Sequence, residues 1–118
     1  MVCAALEVWD EGMTLNSLCY DLTQTFPEDH SHVLKTKIRL ASSRVAANVA
    51  EGYQQQSGDR FWLCIRKAQE SLLELKTHLR FAERLNFMDS QTAAFLLGQC
   101  DAVAQGLASL QPVASCLN

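Results

Sequence analysis

Polar and charged side chains recur at helical spacing in the middle of the chain, where they could form an ion-pair network or a catalytic pair of carboxylates. The set, at steps of three and four residues, is Arg44, Asn48, Glu51, Lys67, Ser71 and Glu74. On α-helices such spacing places the side chains on one face. If Glu51 and Glu74 came together, they could act as general acid and base. Because no nucleophile motif, phosphate loop or metal cluster accompanies them, we favour the structural network and assign no catalytic residue.

The cysteine and histidine residues are not spaced like metal ligands. The five cysteines are Cys3, Cys19, Cys64, Cys100 and Cys116. None belongs to a C-x-x-C pair, and an odd number cannot close entirely into intrachain disulfides. His30 and His32 are two residues apart, which on a helix points them to different faces. We therefore expect reduced, buried thiols, no metal site and no cofactor.

Four segments of helical hydrophobic period must position these side chains. The segments comprise about residues 5–25, 28–56, 59–86 and 90–110. Pro27 ends the first segment, residues 57–59 form the next break, and Asp89 offers an N-cap to the fourth segment. We predict an all-α fold, an antiparallel up-down-up-down four-helix bundle forming a single domain over residues 1–118. The tail from Pro112 onward is expected to fray.

An antiparallel hairpin of the second and third helices would bring the polar residues together beside the core. In that register Arg44 lies opposite Ser71 and near Glu74, and Glu51 lies near Lys67. We predict the ion pairs Arg44–Glu74 and Lys67–Glu51. A glycine inside a helix costs about 1 kcal/mol relative to alanine, so close approach of a neighbouring helix or chain is expected there. The predicted structural network is Arg44, Asn48, Glu51, Gly52, Lys67, Ser71 and Glu74.

The net charge of −3 conceals an uneven distribution along the chain. All ten lysines and arginines fall in the second and third segments, so that residues 30–88 carry a net charge of +5. The remaining residues hold eight acids and no base. Opposite charges on separate faces of one subunit favour a head-to-tail ring.

The basic hairpin supports two interpretations. A phosphate backbone could bind its cations and an aromatic platform, and the candidate nucleic-acid contacts are Lys35, Arg39, Trp62, Arg66, Lys76 and Arg80. Alternatively, large apolar residues anchor a subunit interface, for which the candidates are Trp9, Tyr53, Trp62 and Leu73. We favour the interface, since a nucleic-acid footprint normally accompanies a high pI and this chain has a pI of about 5.5.

Several segments resemble one family of small four-helix-bundle proteins. They are LEVW (6–9), FP (26–27), KIRLASSRVAANVAEGY (37–53), FW (61–62), AQESLLEL (68–75) and LNFMD (85–89). The family includes proteins encoded in intervening sequences of bacterial 23S rRNA genes and the accessory proteins of diversity-generating retroelements. The chain departs from its pattern where Glu70 replaces a glycine, and where Leu40 replaces the second arginine that commonly follows Arg39.

The resemblance implies an antiparallel four-helix bundle that assembles into pentameric rings, with retroelement members associating with nucleic acid and a reverse transcriptase. It implies that the signature positions here are Asn48, Glu51, Gly52, Ser71 and Glu74. No uninterrupted apolar run approaches the ~20 residues of a membrane span. We therefore expect a non-enzymatic, cytoplasmic homo-oligomer, a pentameric assembly or accessory module, with an RNA- or DNA-binding accessory protein as the alternative.

Overall fold

The protein is an all-α helical bundle. The computed structural model describes the backbone of residues 2–117 and the side chains of residues 4–116, and this part of the chain contains no β-strand. The helices are α1 (Val2–Thr23), α2 (His32–Tyr53), α3 (Gly58–Arg84), α4 (Ser90–Ala108) and the short α5 (Gln111–Leu117). The bundle is elongated, with principal extents of 49 × 22 × 18 Å. Cys3, one of the predicted thiols, has its side chain outside the described residues.

Each of the four long helices packs against two other long helices. α1 contacts α2 and α4, and α3 contacts α2, α4 and α5. Along the α1–α2 seam, Gly12 lies against Ala46 and the Asn16 side chain meets Ser42. As the residue number rises along α1, the number of the contacting residue on α2 falls, so the two helices are antiparallel. The short connections between the other helices are compatible with the same up-and-down arrangement.

The predicted apolar stripes form the core. On α3 the apolar residues that alternate at steps of four and three are all buried, namely Phe61, Ile65, Ala68, Leu72, Leu75, Leu79 and Ala82. The apolar stripe of α2 is also buried, namely Leu34, Ile38, Val45 and Val49. Fully burying a side chain such as Leu79 stabilises the fold by roughly 1.5–3 kcal/mol, so the four converging stripes hold the bundle together.

Short-range hydrogen bonds fix the ends of α3 and α4. Ser57 caps α3 by accepting a hydrogen bond from the Arg60 N–H, and the Asp89 side chain caps α4 by accepting from the Thr92 N–H at 2.7 Å. At the end of α3, Asn86 adopts a positive φ of 62°. This lets the Phe87 N–H bond back to the Ala82 carbonyl at 2.9 Å, which closes the helix in a Schellman motif.

Two predicted boundaries were wrong. α2 begins at His32 rather than at residue 28, because the chain after Pro27 turns first and the Ser31 hydroxyl donates to the Pro27 carbonyl. The tail does not fray at Pro112, since it forms α5. Proline is tolerated in the first turn of a helix, where its missing N–H needs no partner. Leu110 and Ala114 are buried, so packing holds this segment in place.

The segment Ser90–Cys116 is long and apolar enough to cross a bilayer by length and composition alone. In the bundle one side of α4 lies in the core, with Ala93, Leu96, Leu97, Cys100, Val103 and Leu107 buried. Core helices of water-soluble bundles share these properties, so the segment is weak evidence for a membrane span.

Candidate functional site

The polar residues singled out by their spacing lie on α2 and α3, which pack against each other. The two helices approach closely at Gly52: a Cβ on this residue would lie 3.1 Å from the Cys64 Cβ and 3.4 Å from the Phe61 carbonyl oxygen. Gly52 therefore admits the neighbouring helix, as its cost within a helix led us to expect. Burial raises the pKa of the Cys64 thiol, the nearby Glu51 carboxylate raises it further, and Lys67 opposes the shift. Glu51 and Lys67 thus both lie near Cys64, in the predicted register.

The ion pairs predicted between α2 and α3 do not form. Neither Arg44–Glu74 nor Lys67–Glu51 is an ion pair in the described chain. Instead, Glu74 lies 3.3 Å from His78 one turn further along α3, and Asn48 donates to the Arg44 carbonyl at 2.8 Å. All four charged side chains are exposed, where an ion pair contributes little and seldom overcomes the loss of side-chain freedom.

Glu51 and Glu74 lie far apart along the α2–α3 hairpin. Glu51 lies near Cys64, whereas Glu74 is ten residues further along α3, a distance of about 15 Å along the helix axis. Ser71, between them, is buried. Among the described residues no group of three or more histidine, cysteine, aspartate and glutamate side chains is arranged to hold a metal ion.

A polar seam between α1 and α2 was missed by sequence reasoning. The buried Ser42 hydroxyl donates to Asn16 Oδ1 at 2.8 Å. Arg39 Nε donates to the Thr23 hydroxyl at 3.0 Å, and the Arg39 guanidinium lies 4.3 Å from the centre of the Tyr20 ring. In the sequence, the only indication of these contacts is the run of small or polar residues along both helices. Which side chains meet depends on the register of α1 against α2.

The candidate nucleic-acid contacts do not share one face. Arg39 is engaged with α1, while Lys76 Nζ pairs with Asp101 of α4 at 2.9 Å on the other side of the hairpin. Lys35 and Trp62 are half-buried. Arg66 and Arg80 are exposed on α3. The structure therefore leaves these two arginines, rather than all six residues, together on one accessible surface.

The candidate interface residues fall into two places. Trp9 and Tyr53 line an apolar groove of about 210 Å³ between α1 and α2, together with Leu6 and Ala50. Trp62 is half-buried and packs against the core. Leu73 is 65% exposed on the side of α3 that faces away from the core.

The sequence profile of the 23S rRNA-intervening sequence protein family matches residues 4–109. The chain belongs to this family. The match spans α1 to α4, and α5 follows it. A comparison with curated proteins finds no match.

The signature positions implied by the resemblance are divided between α2 and α3. Asn48, Glu51 and Gly52 lie on α2, and Ser71 and Glu74 lie on α3. Gly52 sets how closely the two helices approach, and Asn48 is bonded within its own helix. Of these positions, Gly52 contributes directly to the packing of α2 on α3.

Proposed function

We propose that this protein is a non-enzymatic accessory protein that works as a homo-oligomeric ring of helical bundles. Five subunits is the ring size that the family resemblance implies. The observation that carries the proposal is Leu73, which is 65% exposed on a helix whose opposite side is fully packed. Leu63, on the same outer side, is 55% exposed. Large apolar side chains left exposed on one side of a helix are typical of protein–protein interfaces.

A matched pair of substitutions tests the assembly. Val33 is 64% exposed at the start of α2, so that Val33→Asp and Leu73→Asp place the same charge at equally accessible positions. We expect Leu73→Asp to convert the oligomer into monomers in size-exclusion chromatography with light scattering, and Val33→Asp to remain assembled. If both variants have the same mass as the wild type, Leu73 is not part of the interface.

Binding of RNA or DNA is the second candidate function. Its support is the pair of exposed arginines on α3, Arg66 and Arg80, within a hairpin that carries most of the chain's positive charge. Fluorescence anisotropy with a structured RNA and a DNA duplex, across about 50 to 200 mM salt, tests it. Affinity that falls linearly with log salt, and falls again in Arg66→Glu/Arg80→Glu, supports this function, whereas lack of binding at the lowest salt contradicts it.

We place the protein in the cytoplasm and away from the membrane. The described cysteines, Cys19, Cys64, Cys100 and Cys116, are all free thiols, which supports a reducing compartment. Fractionation of cells that produce the tagged protein tests this placement, and recovery in the membrane pellet after a high-salt wash would contradict it.

A further inference from the structure

The exposed side of α1 combines an apolar stripe with acidic side chains. Leu6, Met13 and Tyr20 are seven residues apart and are each at least 40% exposed. α1 contains no lysine or arginine, and its acids are Glu7, Asp10, Glu11 and Asp21. All four are exposed, and none forms an ion pair within the described chain. We call this surface the acidic face. It adjoins the groove of Trp9 and Tyr53, because Leu6 lines both.

The exposed side of α3 has the opposite charge. Its exposed apolar residues are Leu63, Leu73 and Phe81, and the exposed arginines Arg66, Arg80 and Arg84 lie on the same side of the helix. Only Arg80 of these arginines has an ion-pair contact in the described residues, a long one of 3.7 Å to Glu83. Asp59 and Glu70 also lie on this side, so its excess of cations is moderate. We call this surface the basic face.

The two faces point away from each other. α1 packs against α2 and α4, and α3 packs against the same two helices from the other side, which places α1 and α3 diagonally in the bundle. A copy bound to the acidic face therefore leaves the basic face of the first subunit free. Two different surfaces on opposite sides of a subunit generate head-to-tail assemblies, which close into rings when the rotation between subunits permits.

We propose that the acidic face of one copy docks on the basic face of the next copy, and that this contact builds the ring. The inference rests on the proposed homo-oligomeric function and names its interface. A second copy is the occupant because it supplies both the complementary charge and a matching apolar stripe. Nucleic acid would match the basic face alone and would be repelled by the acidic face.

Reciprocal charge reversal tests the pairing. Asp10→Lys/Asp21→Lys removes the net negative charge of the acidic face, Arg66→Glu/Arg80→Glu reverses the charge of the basic face, and a fourfold variant combines them. Each double variant should raise the concentration for half-assembly at least about tenfold in sedimentation velocity, because the attraction between the two faces is then lost or reversed. The fourfold variant should regain assembly, since the introduced lysines can pair with the introduced glutamates of the next copy. Lys37→Glu/Arg44→Glu, which changes exposed cations of α2 by the same total charge, should assemble like the wild type.

The outcomes separate this inference from the proposed function. A wild-type protein that stays monomeric overturns both. An assembled wild type whose double variants assemble equally well overturns only the pairing of the two faces, as does an Arg66→Glu/Arg80→Glu variant that stays assembled but loses RNA affinity. Circular dichroism establishes that each variant is helical. For any variant that is not, the salt dependence of wild-type assembly decides, and assembly that does not weaken between about 50 and 500 mM salt overturns the charge pairing.

Discussion

Gly52 of α2 faces Cys64 of α3 at a distance that leaves little room for a methyl group, because a Cβ at position 52 would lie 3.1 Å from the Cys64 Cβ. Both the Cys64 Cβ and the nearby Phe61 carbonyl belong to or adjoin the α3 backbone, so neither can move without shifting the helix. Gly52 thus permits close packing in the hairpin that carries all ten lysines and arginines.

Gly52→Ala should destabilise the protein although alanine favours helix. The gain of about 1 kcal/mol in helix propensity is offset by overpacking of roughly 1–3 kcal/mol. Gly98→Ala is the matched control, since nothing lies within 4 Å of its added Cβ, and it should gain about 1 kcal/mol. Urea unfolding measures both. Equal stabilisation by the two substitutions would show that the α2–α3 contact is not tight.

Leu110→Ala should lower the unfolding free energy by about 2–4 kcal/mol, because Leu110 is fully buried where α5 packs back on the bundle. Gln111→Ala, at the exposed neighbouring position, should change stability by less than about 0.5 kcal/mol. Chemical denaturation of both variants provides the measurement. A loss no larger for Leu110→Ala than for Gln111→Ala would mean that the C-terminal segment is frayed after all.

Asp89 makes the stability of α4 depend on pH. Its hydrogen bond from the Thr92 backbone N–H lowers the pKa of the carboxyl below its ordinary value. The cap therefore stabilises the folded protein above the ordinary carboxyl pKa, and the contribution is lost as pH falls through the folded-state pKa. Asp89→Asn keeps a neutral acceptor, so its melting temperature should fall less than that of the wild type between about pH 7 and pH 3. Parallel acid profiles for the two proteins would contradict this role.

Cysteine labelling should follow burial. Burial raises the pKa of Cys19 to about 11 and that of Cys100 to about 12, so few thiolates are available at these positions near neutral pH. Cys116 is exposed. With a maleimide and site-resolved mass spectrometry, Cys116 should react before Cys19 and Cys100, which should become reactive on addition of denaturant. Simultaneous labelling of all three in the native protein would show that the core opens readily.

The core could be predicted from sequence because it depends on a repeated pattern. On α3 the heptad pattern from Phe61 to Ala82 is regular over three heptads, about six turns, and one face must be buried wherever such a stripe meets others. The α5 helix was not predicted, because it is short and has a proline in its first turn, and its packing on α3 depends on contacts distant in sequence.

The side-chain partners of the candidate site were harder to predict. The register of the α2–α3 hairpin placed Glu51 near Lys67, but exposed charges have alternatives, and Glu74 meets His78 on its own helix instead of Arg44. Arg39 was assigned to a phosphate contact by its charge alone. Its bond to Thr23 depends on how α1 lies against α2, which periodicity within one helix does not determine.

Sedimentation velocity of the wild-type protein, from about 5 to 100 µM, tests most directly whether this chain is an assembling subunit. The account predicts a discrete species several times the 13.1 kDa mass of one chain, with five subunits as the expected ring. A single 13.1 kDa species at every concentration would contradict it.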